Sequence, residues 1–159
     1  MTLNIPPKGT YGRPQPRNVG VWKYISRFLI RHARTKKSRA LRGMKILALT
    51  TIGAKSGLER TTPVGYFPDG DSWLVIATAA GAINHPLWYY NIAANPDQVV
   101  IDIDGERIPV TAAQLEGAER ASTLDNSLRR ASGAAADAYR RYAASTDRQF
   151  PILRLTRAP

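Results

Sequence analysis

Short apolar runs separated by turn residues are the most regular pattern along the chain, and such runs are typical of β-strands. Two of the intervening turns contain an Asp-Gly pair, at residues 69–70 and 104–105, which favours tight hairpins between the flanking runs. The pattern predicts strands at residues 45–51, 60–67, 72–78, 98–104, 107–115 and 150–156.

Three other segments carry helical signals. Residues 86–95 have a proline in the first turn and end at an Asn-Pro pair, which are common start and stop signals of a helix. Residues 116–144 are rich in Ala, Glu and Arg, with an interruption near residues 132–133. A third helix is predicted at about residues 20–34. Hairpin-linked strands with few helices predict a mainly β protein with helices (α+β), an antiparallel barrel with helices packed outside.

The positive charge is concentrated at the N-terminus. The net charge is +11, and residues 1–45 hold 12 of the 23 basic residues and none of the 12 acidic ones. Residues 46–159 are therefore almost neutral. This asymmetry predicts a basic N-terminal arm over residues 1–45, which contains the amphipathic helix, followed by a barrel domain over residues 46–159.

The predicted helix of the arm has an apolar stripe of Trp22, Ile25, Phe28, Leu29 and His32, with the basic side chains mostly elsewhere on the helix. The stripe either packs against the barrel or lies on an anionic membrane surface, since basic amphipathic helices do both. Nucleic acid is not expected as a partner, because the rest of the chain is neutral and has no recognition motif.

Composition excludes several kinds of site. The chain has no cysteine and only two histidines, so we expect neither disulfides nor thiolate chemistry nor a metal centre. The first residues do not resemble a signal peptide, and no uncharged apolar run is long enough to span a bilayer. We expect a cytoplasmic protein, with the arm suited to peripheral contact with the inner face of the cell membrane.

The segment GAKSGLERTTP, at residues 53–63, combines turn-forming glycines with the cations Lys55 and Arg60 and several hydroxyl groups. Glycines let backbone amides approach a ligand, and the cations can bind phosphate or carboxylate groups. The spacing is neither that of a P-loop nor that of a dinucleotide-binding turn. The segment is therefore either an anion-binding loop or a polar hairpin loop with surface charges.

Two further groups of residues could form a pocket. The segment NHPLWYYN, at residues 84–91, places aromatic side chains at a predicted helix start, where a planar ring could stack. Small residues at 78–81 leave room for a flat ligand. Tyr139 and Tyr142 lie three apart on one helical face and could donate phenol hydroxyls. Each of these aromatic residues could instead pack in the core.

Three segments in this order give the chain a family resemblance: LTTIGAKSGLERTTPVGYFPDGDSWLVIAT, NHPLWYYNIAANP and YRRYAASTDRQFPILRL. From about residue 20 to the C-terminus, the chain resembles the deazaflavin (F420)-dependent nitroreductase family. The resemblance implies a split β-barrel. It also implies binding of coenzyme F420, an 8-hydroxy-5-deazaflavin that carries a phosphate and an oligoglutamate tail.

The resemblance also assigns residues to the cofactor. The phosphate and tail would contact Ala54, Lys55 and Ser56, and the phosphate and ring would contact Arg60, Thr61, Thr62, Pro63, Val64 and Gly65. The underside of the ring would lie on Ile76, Ala77, Thr78 and Ala79. The far side of the ring would contact Leu87, Trp88, Tyr89, Tyr90 and Asn91.

The same resemblance implies a reductase that transfers a hydride from reduced F420 to a quinone, nitro or other conjugated acceptor. Tyr139 matches the position of a proton donor or substrate-orienting phenol, and Tyr66 and Tyr142 are assigned to the substrate pocket. Gly65 and Ala136 stand where relatives that reduce nitroimidazoles have tyrosine, and Ala79 where a lysine can occur. These departures favour a quinone as acceptor.

Two alternatives remain at this point. The protein could bind the deazaflavin as a carrier or sequestering module without strong turnover. It could also be an FMN-binding split-barrel protein, since related barrels use FMN. Oligomers are compatible with either alternative.

Overall fold

The computed structural model describes residues 3–14, 19–35 and 43–159. Five basic residues of the predicted arm, Arg17, Lys36, Lys37, Arg39 and Arg42, lie outside these ranges. In chain order, the elements are α1 (Val19–Ala33), β1 (Lys45–Ile52), β2 (Glu59–Asp69), β3 (Ser72–Ile76), α2 (Leu87–Ala94), β4 (Val99–Ile103), β5 (Glu106–Gln114), α3 (Gly117–Arg130), α4 (Gly133–Ala144) and β6 (Ile152–Arg157).

The six strands of the described residues form a closed antiparallel barrel in the order β1-β2-β3-β6-β5-β4. Pairing of β1 with β4, in which Leu49 lies opposite Ile101, completes the closure. Each of the predicted strands and helices is present, and their boundaries agree with the prediction to within two residues. The predicted fold class, mainly β with helices in an α+β arrangement and a barrel with helices outside, is confirmed.

The turn between β4 and β5 shows how the sequence sets the register. Asp104 and Gly105 have φ values of 50° and 79°, both in the left-handed region that an Asp-Gly pair tolerates. Two consecutive positive φ angles match the right-handed twist of the flanking strands. This turn therefore fixes the pairing of Ile103 with Glu106 on either side of it.

Apolar side chains form two buried clusters. The first fills the barrel and is covered at one side by α2, with members such as Leu47, Ile101, Leu153 and Tyr89. The second lies between the barrel wall and helices α3 and α4 and includes Phe150, and Tyr139 and Tyr142 pack against this cluster. Helix α4 begins at Ser132, whose hydroxyl oxygen accepts a hydrogen bond from the Ala135 amide.

Residues 3–14 lie across the barrel rather than apart from it. The Gly9 amide donates to the Ile83 carbonyl and the Arg13 amide to the Gly81 carbonyl, both at 2.9 Å. On the other side, the Thr10 hydroxyl donates to Asp147 at 2.6 Å. The division of the chain into an arm and a barrel domain stays a prediction, but these first residues contact the same segments that follow β3 and α4.

Helix α1 packs on β1 and β2 through Ala33, which is fully buried, and Arg34, just beyond its end, lies 3.4 Å from the Asp102 carboxylate of β4. Much of the predicted apolar stripe is not buried against the barrel, since Trp22, Ile25 and Phe28 are 56%, 42% and 62% exposed. The alternative in which the whole stripe packs against the barrel is therefore wrong. Among the described residues, no helix has both the length and the apolar character needed to cross a membrane.

Candidate active site

The glycine loop, residues 53–58, connects β1 to β2 as a compact turn. The Gly53 amide donates to the Leu58 carbonyl and the Gly57 amide to the Gly53 carbonyl, each at 2.8 Å. Gly57 has a φ of 67°, and a side chain at Gly53 would collide with the Ser56 hydroxyl. These internal contacts hold the loop in one shape and leave the side chains of Lys55 and Ser56 exposed.

Asn91 joins the glycine loop to α2. Its Oδ1 accepts a hydrogen bond from the Ala54 amide at 3.0 Å, and its Nδ2 donates to the Thr51 hydroxyl at 3.1 Å. Two groups of residues that are far apart in the sequence, the loop and the aromatic helix, are thereby brought together. Beside them, the hydroxyls of Thr50 and Thr61 share a hydrogen bond of 2.9 Å across β1 and β2.

Strand β2 presents its predicted site residues with mixed exposure. Arg60 is exposed, Thr61, Thr62, Pro63 and Gly65 are half-buried, and Val64 is buried in the barrel core. Alternation along a strand sends neighbouring side chains to opposite faces.

Tyr66 follows this alternation. Its ring is buried in the barrel core, and burial raises the pKa of its phenol. Gly65 instead lies against Met44 on the other face of the strand. The assignment of Tyr66 to the substrate pocket stays a prediction, and the structure places its ring in the barrel core rather than at the open surface.

The segment after β3, residues 77–86, has an unusual backbone. Ala79 and Ala80 adopt φ values of 44° and 52°, which L-residues with a side chain rarely adopt. Such conformations cost about 1–3 kcal/mol each and persist only where surrounding contacts impose them. The predicted ring-binding residues Ile76, Ala77, Thr78 and Ala79 lie at the start of this segment.

Arg148 is the residue that fixes this segment. Its side chain donates to the carbonyls of Ala77 and Ala82 at 2.9 Å and to that of Thr78 at 2.5 Å. Arg148 is 5% exposed, and it has no carboxylate partner among the described residues. Burial lowers the pKa of its guanidinium, whose plane also lies over the ring of Phe150.

His85 continues this network to the N-terminal residues. Its Nε2 lies 2.8 Å from the Pro6 carbonyl and its Nδ1 lies 2.8 Å from the guanidinium of Arg148. A carbonyl can only accept and a guanidinium can only donate, so the ring is neutral and carries its proton on Nε2. Burial lowers the pKa of His85, the Pro6 carbonyl opposes that shift, and Arg148 adds to it.

The aromatic residues of α2 divide into core and surface. Tyr89 is fully buried, its hydroxyl donates to Gln114 Oε1 at 2.7 Å, and burial raises its pKa to about 12. Tyr90 and Trp88 are half-buried, and the ring of Tyr90 meets His85 edge-on at 5.9 Å between centroids. Leu87 is 81% exposed. Tyr90, Trp88 and Leu87 are therefore the residues of α2 whose side chains can reach a ligand at this surface.

Helix α4 lies against the same segment. Gly81 packs so closely on the last turn of α4 that a side chain there would come within 3.0 Å of the Tyr142 carbonyl. One turn earlier, the half-buried ring of Tyr139 meets Phe150 edge-on, and burial raises the pKa of its phenol. Tyr142 is covered by the guanidinium of Arg13 at 5.8 Å. Tyr142 therefore borders the segment that contains Thr78 and Ala79, whereas Tyr139 packs in the cluster around Phe150.

Neither Arg148 nor residues 3–14 stood out in the sequence. Arg148 lies between the end of α4 and the start of β6, and its partners lie 63 to 71 residues away in the chain. A lone arginine before an apolar strand gives no sign of what it contacts. The family resemblance, in contrast, assigned both the glycine loop and α2 to one ligand, and the structure joins the two through Asn91.

A comparison with protein families matches residues 23–157 to the F420H(2)-dependent quinone reductase family. The chain belongs to this family. An F420H(2)-dependent quinone reductase of Mycobacterium tuberculosis strain H37Rv is 36% identical over 115 residues, which cover 70% of this chain and 72% of that protein. The nitroreductase resemblance that the motifs gave is broader than this family and compatible with it, and the family's name agrees with the quinone that the sequence favoured as acceptor.

Solved structures agree with the family assignment. A structure of an F420-H2 dependent reductase has a TM-score of 0.59 and 32% identity, covering 74% of this chain and 97% of that chain. Another, described as a domain-swapped dimer, has a TM-score of 0.61 and 29% identity over 85% of this chain and 96% of that chain. The predictions of an F420H2-dependent reductase that transfers a hydride to a quinone, and of F420 as its cofactor, are confirmed.

The residues present fit such a cofactor. Lys55 and Arg60 are exposed beside the glycine loop, and neither has a carboxylate partner among the described residues. Unpaired cations next to a rigid glycine turn suit phosphate and carboxylate groups, and the half-buried rings of Trp88 and Tyr90 suit a flat ring system. When bound, the deazaflavin supplies the hydride, and this chain supplies binding, orientation and protons.

Proposed function

We propose that this protein reduces quinones with F420H2 at the surface formed by the glycine loop, the exposed part of α2, residues 76–85 and α4. The observation that carries the proposal is the pair of hydrogen bonds from Asn91 that joins the glycine loop to α2, beside the unpaired cations Lys55 and Arg60. This arrangement holds cations, backbone amides and aromatic rings in one fixed surface, which supports a site for an anionic ring cofactor.

The binding roles follow the exposure of each residue. The exposed cations of Lys55 and Arg60, with the hydroxyl of Ser56, would hold the phosphate and the start of the tail. Ala54, whose amide is bonded to Asn91, would contact them through its exposed surface. Half-buried residues would border the ring. They are Thr61, Thr62, Pro63, Gly65, Thr78, Ala79, Trp88, Tyr90 and Asn91.

Buried members of the predicted set have a different part in this proposal. Val64, Ala77 and Tyr89 belong to the barrel core, and Ile76 to the cluster under α3 and α4. Their side chains support the surface from beneath. Leu87, which is largely exposed, would cover the far side of the ring.

Tyr139 is the proposed proton donor. Hydride transfer to a quinone leaves a negative charge on oxygen, which must be protonated for the quinol to form. Burial raises the pKa of the Tyr139 phenol, which keeps it protonated at neutral pH but also makes it a weaker acid, so its role as donor rests on the family resemblance. Tyr142, whose ring is held under Arg13, would orient the acceptor instead.

The surface of helix α1 indicates where in the cell the reaction would take place. It exposes Val21, Trp22, Tyr24, Ile25 and Phe28, and large exposed apolar faces of this kind mark interaction sites. The basic residues concentrated in the first 45 positions complement an anionic surface. We therefore propose that α1 rests on the membrane, where apolar quinones dissolve, on the inner face of the cell membrane.

An assay of cofactor oxidation tests the proposed reaction. The purified chain is mixed with F420H2 and menadione, a quinone, with a nitroimidazole in parallel and a reaction without acceptor as control. Quinone-dependent loss of the reduced cofactor is the expected result, with slower or no loss for the nitro compound. Tight binding without acceptor-dependent oxidation would instead favour the carrier alternative.

A further inference from the structure

A second cationic surface adjoins the residues assigned to the cofactor and shares Thr61 with them. A cavity of about 360 Å³ opens between α1 and β2, and its lining consists of Arg27, Ile30, Arg31, Arg34 and Thr61. We call it the arginine cleft. Its volume lies at the lower end of the range found for small-molecule sites. Three of the five lining side chains are guanidinium groups, so the cleft favours an anionic occupant.

The charges of the arginine cleft are only partly neutralised. Arg34 lies 3.4 Å from Asp102, and that carboxylate is shared with Arg107 at 3.2 Å. Arg27 and Arg31 have no carboxylate partner within the described ranges. Two or more positive charges facing one cavity repel each other, and an anion bound between them would relieve that repulsion.

The arginine cleft adjoins the proposed cofactor surface. Thr61 forms part of its wall, and Thr61 follows Arg60 on β2, one of the two cations assigned to the cofactor phosphate. The Thr61 hydroxyl is held by Thr50, so this wall is fixed relative to the barrel. Arg60 and Thr61 lie at the start of β2 but present their side chains to opposite faces, so a chain of anionic groups held by Arg60 would reach the cleft by passing the end of the strand.

We propose that the arginine cleft binds carboxylates of the glutamate tail of the cofactor, with Arg27 and Arg31 as the ligands on α1. This inference rests on the proposed function and extends it, because it makes α1 a part of the cofactor site. Guanidinium groups match carboxylates in shape and can hold them with paired hydrogen bonds. Several glutamates in series match several arginines on successive turns of one helix.

Anionic lipid headgroups are the competing occupant, and the geometry favours the tail. Arg27, Arg31 and Arg34 line a cavity whose opposite wall is the barrel, whereas a membrane is a broad surface that contacts protruding groups. The exposed apolar residues Ile25 and Phe28 occupy a different side of α1, since they do not line the cleft. Lipid contact at the apolar side and tail binding at the arginine side can occur together.

The test combines charge removal with tail length. Fluorescence titrations measure the Kd of a long-tailed F420, a one-glutamate F420 and the deazaflavin without phosphate or tail, at low ionic strength. The variant is Arg27→Gln/Arg31→Gln. The matched control is Arg129→Gln/Arg130→Gln, which removes the same charge from the exposed surface of α3. Thermal unfolding of each variant shows that it remains folded.

We expect the cleft variant to bind long-tailed F420 about tenfold more weakly than the wild type, roughly threefold for each exposed charge pair lost. Its affinity for the tail-free deazaflavin should stay unchanged. The control should bind every form as the wild type does. Added salt should shrink the difference between the cleft variant and the wild type, because it screens exposed charges.

One outcome overturns the inference while the proposed function stands: a cleft variant that binds long-tailed and one-glutamate F420 with the same ratio of affinities as the wild type. If that variant also lost binding to anionic phospholipid vesicles in a sedimentation assay, the cleft would be assigned to lipid. If the wild type bound no form of F420, the proposed function itself would fail, so the two failures are distinct.

Discussion

At the residue scale, Arg148 is the side chain on which the most contacts of the site depend. It donates to three carbonyls of residues 77–82 and to His85, and through His85 it connects to Pro6. A buried charge that is fully hydrogen-bonded is tolerated, whereas the groups left behind by its removal lose their partners. The strained backbone at Ala79 and Ala80, in the middle of the chain, therefore depends on one residue near the C-terminus.

Arg148→Ala should destabilise the fold by about 3–5 kcal/mol, because several buried carbonyls would lose their donor. Arg148→Lys keeps the positive charge but can make fewer hydrogen bonds, so its free energy of unfolding should lie between those of the wild type and the alanine variant. Urea denaturation measures the effect, with the exposed Arg129→Ala as control. An alanine variant as stable as the wild type would show that the segment keeps its shape without Arg148.

Tyr139 gives the second prediction at this scale. Tyr139→Phe removes the hydroxyl but keeps the ring that packs on Phe150, so folding and F420 affinity should be preserved. Turnover with a quinone should fall by 10²-fold or more, the usual range for loss of a general acid. Steady-state assays of kcat and KM make the measurement, with Tyr142→Phe as the matched variant. Wild-type kcat in Tyr139→Phe would remove the proposed proton donor.

At the scale of elements, the site depends on how the glycine loop is joined to α2. The loop closes on itself through Gly53, Gly57 and Leu58, and Asn91 attaches it to the helix by one bond to each of Ala54 and Thr51. A loop held in this way keeps its cations in place before a ligand arrives, which reduces the entropy lost on binding.

Asn91→Asp separates geometry from charge in this junction. The carboxylate can still accept from the Ala54 amide, but it places a negative charge near Lys55 and the proposed phosphate. We expect F420 to bind at least tenfold more weakly to Asn91→Asp, with a smaller loss of affinity in Asn91→Ala. Isothermal titration of both variants tests this. Equal affinities for wild type and Asn91→Asp would place the anion elsewhere.

Helix α1 gives a prediction about location. Burying a phenylalanine side chain contributes about 1.5–3 kcal/mol, so Phe28→Asp should lower binding to anionic phospholipid vesicles by tenfold or more. Ile5→Asp, at another exposed apolar position, is the matched control. Vesicle sedimentation makes the measurement. If Phe28→Asp left vesicle binding unchanged but turned an oligomer into a monomer, the apolar face of α1 would instead be an interface between copies of this chain.

The pattern of apolar residues was sufficient to predict the helices and strands, but the contacts between them could not be predicted from it. Strands such as β3 and hairpin turns such as Asp104–Gly105 depend on neighbours in the chain, so their signals are local. The contacts of Arg148, His85 and Pro6 depend on the closed barrel. The face of Tyr66 could have been predicted from strand alternation with Val64, whereas the exposure of Phe28 required knowing how α1 crosses the barrel.

At the scale of the whole molecule, the barrel, the outer helices and the N-terminal residues converge on one surface. The glycine loop, α2, residues 77–85 and the last turn of α4 are connected by hydrogen bonds or close packing, and residues 9–13 pack beside them. Helix α1 adds a cationic cleft and an apolar face next to this surface. This arrangement accounts for an enzyme that holds an anionic deazaflavin and meets an apolar acceptor.

The most direct test of this account is a fluorescence titration of the purified chain with oxidised F420, with FMN titrated in parallel. The account predicts saturable binding of F420, weakened by salt, and no comparable binding of FMN. Tight binding of FMN in preference to F420 would contradict it and would place the protein among the flavin-binding barrels. Binding of neither compound would show that the surface around Asn91 holds a different ligand.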